Sequence, residues 1–171
     1  MNRMYYFLLA LLLASCTSCE DEGVPTPPKP SEIGFSDPEN GGGCSNLMVY
    51  QYSDDHRYGL LLRANRQPLA LSSDWQTFAV GKVDADVLSV KLYQFSEPVY
   101  AYFCDDVNEG FERPIGTWDA PSGTVRVRIS PGASATDSLT SVDVVLENVV
   151  ANNSRLPKIT LSDVSIGWLP G

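Results

Sequence analysis

Thr124-Val125-Arg126-Val127-Arg128-Ile129-Ser130 is the stretch whose reading decides the fold class. Apolar and charged side chains alternate there with a period of two. In an extended chain successive side chains point to opposite faces, so Val125, Val127 and Ile129 enter a core while Arg126 and Arg128 meet water. Segments rich in Val, Ile, Leu, Tyr and Phe lie on both sides of it, at 47–52, 58–64, 88–95, 99–104, 141–150 and 159–168. These are the residues that fit a pleated, half-buried surface. Between them, Ser53-Asp54-Asp55-His56, Asn65-Arg66-Gln67-Pro68 and Asp119-Ala120-Pro121-Ser122-Gly123 carry the turn-forming residues that tight reversals need.

The segment 72–80 reads two ways. Ser73 and Gln76 have capping-box spacing, yet Gln76, Phe78 and Val80 alternate as in a strand, and the strand reading is favoured. Seven or eight short strands, with no long segment of period 3.6, predict an all-β, antiparallel β-sandwich of immunoglobulin-like arrangement. The run Gly41-Gly42-Gly43 lacks the Gly-Lys-Ser/Thr ending of a phosphate loop and is expected to be a flexible entry into the first strand.

Residues 1–15 have the layout of a secretory signal: a head with Arg3, the apolar run Phe7-Leu8-Leu9-Ala10-Leu11-Leu12-Leu13-Ala14, and Ser15. The run is shorter than the roughly 20 apolar residues that span a bilayer. Leu13-Ala14-Ser15-Cys16 resembles the lipobox of bacterial lipoproteins. The resemblance covers the signal, and implies cleavage before Cys16 and acylation of its thiol with palmitate-type chains. Several acyl chains, at about 0.8 kcal/mol per buried methylene, hold a domain on a bilayer without a spanning segment. The cluster Glu20-Asp21-Glu22 resembles the export signal of Bacteroidetes surface lipoproteins, which implies the outer membrane, cell-surface side. Pro25, Pro27, Pro28 and Pro30 favour an extended spacer. The expected organisation is therefore a signal at 1–15, a lipidated acidic and Pro-rich tether at 16–43, and a β-sandwich domain at 44–171. As a whole that domain resembles the small β-rich lipoproteins of Bacteroidetes.

Losing Arg3 takes the formal charge from −9 to −10, since 12 basic residues less one stand against 21 acidic ones. Such a surface repels phosphate backbones, so nucleic acid is not an expected partner. Of the cysteines beyond the anchor, Cys19 lies in the tether, whereas Cys44 and Cys104 flank strand-like runs. In an oxidising compartment they are expected to pair.

The single histidine, His56, lies in a turn without a Gly-x-Ser-x-Gly elbow, so a Ser-His-Asp centre is not expected and the residue reads as an exposed turn histidine. The acidic groups Asp54-Asp55, Asp84-Ala85-Asp86 and Asp105-Asp106-Val107-Asn108-Glu109-Gly110 read as solvated turns, with calcium the minority reading; the last fails the EF-hand spacing, because Gly116 stands where the loop counted from Asp105 needs its closing Glu. No cofactor or metal is expected. The tyrosines carry more information. Alternation puts Tyr50 with Tyr52, Tyr100 with Tyr102, and Tyr93 beside Phe95, either as an aromatic platform for sugar rings or a protein surface, or as a second part of the core with hydroxyls at its rim. Trp75, Trp118 and Trp168 are assigned mostly to the core. Asp137-Ser138-Leu139 resembles the Bacteroidetes O-glycosylation signal, with Ser138 as acceptor. The functional expectation is a membrane-anchored, non-enzymatic module for a glycan or an envelope protein. A structural subunit of an outer-membrane assembly is the alternative, and a carboxylate-dependent hydrolase comes third.

Overall fold

The computed structural model of the chain describes residues 32–44, 47–104, 113–131 and 140–166. The signal, Cys16, the Pro-rich segment, Ser138, Trp168 and the 105–106 acidic pair lie outside them.

Ten strands occur among the described residues: β1 (Gly41–Cys44), β2 (Met48–Tyr52), β3 (Tyr58–Ala64), β4 (Gln76–Val80), β5 (Leu88–Gln94), β6 (Gly116–Asp119), β7 (Ser122–Pro131), β8 (Thr140–Ala151), β9 (Ser154–Arg155) and β10 (Ile159–Ile166). They form two antiparallel sheets. The first has the order β1-β2-β3-β5-β6; the second runs β10-β8-β7-β4, with β9 paired to β8. A short helix, α1 (Arg66–Leu69), follows β3, its first turn capped by the Asn65 side chain.

The alternation at 124–130 works as its sequence requires. Val125 and Val127 are fully buried and face Leu146 and Val144 across the β7–β8 ladder. They meet Leu60, Leu62, Val90 and Leu92 of the first sheet in one core, which identifies the fold as a two-layer β-sandwich. On the outer face of the second sheet Arg128 pairs with Asp143 at 2.6 Å. Arg126 and Arg128 also lie 5.0 and 4.9 Å from the Trp75 ring. Trp75 is therefore a surface residue held by two guanidinium groups, not a core one; Trp118 packs half-buried against the core.

Three further expectations need correcting. Gly41–Cys44 is the edge strand β1 and not a flexible entry, in register with β2 from Gly41 opposite Gln51 to Cys44 opposite Met48. Its glycines allow close approach: a Cβ on Gly43 would stand 2.8 Å from Ile166 and 2.9 Å from Val164 of the other sheet. The packed fold also reaches further toward the N-terminus than Cys44, because Ile33 and Phe35 are buried in the core.

The third correction concerns residues 99–104, which are not a strand. They cross the outer face of the first sheet and cover a second apolar cluster built from Tyr52, Leu61, Phe95, Val99 and Phe103. The register explains where this covering segment sits. Tyr52, Gly59 and Tyr93 are lateral neighbours across β2, β3 and β5, so Gly59 leaves a gap between two rings. Phe103 fills it: a Cβ on Gly59 would lie 2.6 Å from the Phe103 ring. Its ring centroid is 5.4 Å from that of Tyr52 and 5.2 Å from that of Tyr93.

The covering segment is closed by a disulfide between Cys44 and Cys104, whose Cα atoms are 5.8 Å apart over a sequence separation of 60. Cross-linking a loop of that length stabilises the folded state by about 4 kcal/mol in the chain-entropy description. Replacing both cysteines by serine is expected to lower the unfolding free energy by up to that amount. Urea denaturation monitored by far-ultraviolet circular dichroism measures it.

Candidate functional site

At the edge of this aromatic face lies a shallow groove of about 240 Å³. Tyr50, Tyr52, His56 and Tyr100 supply its aromatic lining, and Glu39, Asn40 and Gly41 the remaining, more polar part.

The aromatic lining starts from the β2–β3 turn. Ser53 is buried and closes the turn: its backbone N–H donates to the Tyr58 carbonyl at 2.9 Å, and its hydroxyl accepts from the Tyr58 N–H at 2.9 Å. The Asp55 carboxylate accepts from the Ser53 hydroxyl at 2.6 Å and from the Arg57 N–H at 3.1 Å. His56 then takes a left-handed backbone with φ of 58°, and its ring is half-buried rather than exposed in solvent.

A pair of contacts joins His56 to the covering segment. The Val99 N–H donates to the His56 carbonyl at 2.9 Å, and His56 Nδ1 lies 3.2 Å from the Val99 carbonyl. A carbonyl only accepts, so a hydrogen bond at this contact is donated by Nδ1–H. The imidazole is layered between two phenol rings, with centroids 4.3 Å from Tyr100 and 5.9 Å from Tyr52.

The tyrosines expected to act together divide into two roles. Tyr52 is 2 % exposed, and its hydroxyl accepts from the backbone N–H groups of Tyr102 and Phe103 at 2.8 and 3.1 Å. Burial pushes the Tyr52, Tyr50 and Tyr93 hydroxyls above the ordinary phenol range, keeping them neutral. Tyr102 packs edge-on against Phe95 and Phe103, with centroids 4.9 and 5.3 Å away. Tyr93 and Tyr102 thus belong to the covered cluster. Tyr100, by contrast, is 71 % exposed beside the groove. Tyr50 leans over β1, where a Cβ on Gly42 would be 2.6 Å from its hydroxyl.

The polar part is held by Asp54. Its carboxylate accepts from the Ser36 N–H at 2.8 Å, the Ser36 hydroxyl at 2.9 Å and the Asp37 N–H at 3.2 Å. Gln51, buried on the inner face of β2, donates to the Asp37 carbonyl at 3.0 Å. Asp37 in turn caps the short turn Pro38–Asn40 by accepting from the Glu39 N–H at 2.9 Å. Glu39 and Asn40, neither of which was among the candidate site residues of the sequence, are in this way held in the same groove as the rings.

The two acidic clusters within the described residues, Asp54-Asp55 and Asp84-Ala85-Asp86, are turns. Asp54 and Asp55 direct their carboxylates at backbone and hydroxyl donors, and the Asp84 carboxylate accepts from the Asp86 N–H at 3.0 Å. Comparison of the chain with protein-family models, with curated proteins and with solved structures finds no match.

The backbone N–H of Ser36, followed by the Ser36 hydroxyl and the Asp37 N–H, holds the Asp54 carboxyl below its usual range against a smaller opposing effect of desolvation. A depressed folded pKa means that this clamp contributes stability above the unfolded value, about pH 4, and loses it as pH falls through the lower folded value. Asp143 adds a term of the same sign through the Asp163 N–H and Arg128. Asp54→Asn is therefore expected to destabilise the protein at pH 6 and to make little difference near pH 2. Urea midpoints measured across that range check the convergence.

Proposed function

We propose that this chain is a lipid-anchored, non-catalytic module on the outer face of a bacterial outer membrane that binds a glycan in the groove between Tyr100 and Glu39. The observation that carries the binding reading is Tyr100, a large ring 71 % exposed whose inner side is backed by His56 at 4.3 Å. Sugar rings present a C–H face that stacks on such a surface, while hydroxyls at the ring edge need directional partners of the kind Glu39 and Asn40 supply.

The anchor rests on Leu13-Ala14-Ser15-Cys16, and surface exposure on Glu20-Asp21-Glu22. Acylated Cys16 would tie the domain to the membrane through residues 17–31, leaving the groove to meet extracellular polymer. An immunoglobulin-like connectivity belongs to the same proposal, at the level of two antiparallel layers that display turns at their ends.

Full-length protein in detergent, applied to a glycan array, is expected to bind a restricted set of saccharides. Tyr100→Ala should weaken that binding by about tenfold, equivalent to roughly 1.4 kcal/mol of stacking and burial, while leaving the denaturation midpoint unchanged. Cys16→Ser should abolish incorporation of labelled palmitate in cells. An array without specific binding defeats the glycan reading; labelling that survives Cys16→Ser defeats the anchor.

A further inference from the structure

One part of the groove is acidic, and that asymmetry bears on which sugars fit it. Glu39 is the only carboxylate among the described residues that line it, and no Lys or Arg does so. No hydrogen bond or ion pair engages the Glu39 carboxylate among the described residues, whereas its backbone is fixed by the Asp37 cap at 2.9 Å. The acidic field is wider than one residue. Asp54 and Asp55 stand in the same turn as His56, and the neighbouring cation, Arg57, is already directed at the Ser96 carbonyl at 2.7 Å and at Glu97 at 3.6 Å.

We infer that the groove selects a sugar ring bearing a free, protonated amino group over neutral and acidic sugars. This rests on the glycan reading above and names its ligand class. The ring's C–H face lies on Tyr100, prepositioned by the layered row of Tyr100, His56 and Tyr52. The ammonium turns to the Glu39 carboxylate, with Asn40 taking an adjacent hydroxyl.

Charge decides the selectivity. An ammonium at Glu39 gains a charge-assisted hydrogen bond and favourable contact with the electron-rich faces of the phenol rings. A neutral hydroxyl in the same place gains an ordinary hydrogen bond. A carboxylated sugar would set two anions against each other in a groove that no Lys or Arg lines. Because Glu39 is exposed, water screens the attraction, and the advantage of the amine is modest, about fivefold in affinity.

Two oligosaccharides isolate this variable. The chitosan tetramer is a β-linked chain of glucosamine, and cellotetraose is the same chain with a hydroxyl in place of each amine. Isothermal titration calorimetry of the full-length protein in detergent, at a pH that keeps the amines protonated, is expected to give about fivefold tighter binding of the chitosan tetramer. Glu39→Gln should bring the two affinities together, because the chitosan tetramer loses more than cellotetraose, and Tyr100→Ala should weaken both. Equal or tighter binding of cellotetraose by the unmodified protein overturns the amino-sugar inference and leaves the glycan reading standing. So does a preference that survives Glu39→Gln. Chitosan binding that is indifferent to Tyr100→Ala means diffuse attraction to an acidic protein and also overturns the inference. Failure of both tetramers to bind overturns the amino-sugar inference, and the array result decides the glycan reading separately.

Discussion

The structure depends on a single covering segment being held down on a sheet face that is too apolar to meet water. Sandwich sheets bury one face and wet the other, but the outer face of the first sheet carries Leu61, Phe95 and the rings of Tyr50, Tyr52 and Tyr93. Residues 99–104 supply the missing layer. Three devices fix them in place: the Cys44–Cys104 bridge at the end of the segment, Phe103 seated over Gly59, and the Tyr52 hydroxyl accepting two of its backbone N–H groups. The last device also satisfies backbone donors that a non-strand segment would otherwise bury without partners.

The groove is a by-product of the same arrangement. A segment that buries Phe103 and half-buries Tyr102 must turn away from the sheet before it is tied to His56 through Val99. Tyr100 sits at that turn, pushed outward beside the imidazole. The polar part has a separate origin, in the residues that follow Phe35 and are clamped by Asp54 and capped by Asp37. Two separately anchored pieces of chain therefore line one groove. Groups held in place before binding reduce the ordering cost of taking up a small ligand.

The sequence made the strands legible wherever side chains report on their own surroundings. Tyr58–Ala64 was read to the residue, and Val125 and Val127 revealed their burial through their charged neighbours. The Cys44–Cys104 pairing was legible too, because no other pair of cysteines flanked strand-like runs. Beta1 escaped notice because three glycines carry no side-chain pattern; their meaning lies in what approaches them, Tyr50 from one side and Ile166 from the other. Residues 99–104 were misread as a strand because an alternating aromatic segment has the same local composition whether it pairs in a sheet or lies across one. Only the Gly59 gap, created by register between distant segments, distinguishes the two. The tyrosines gather around one sheet face, as their alternation suggests, but which one stays exposed depends on the path of the covering segment. Glu39 and Asn40 carried no signal, since a short acidic turn reads as an ordinary loop.

Tyrosine reactivity tests the covering segment most directly. Mild nitration with tetranitromethane, followed by peptide mapping, should modify Tyr100 first and Tyr52 last in the oxidised protein. Reduction of the disulfide should raise the reactivity of Tyr52 and Tyr102 toward that of Tyr100. Nitration of Tyr52 as fast as Tyr100 while the disulfide is intact would contradict the account, because the sheet face would then be open to solvent.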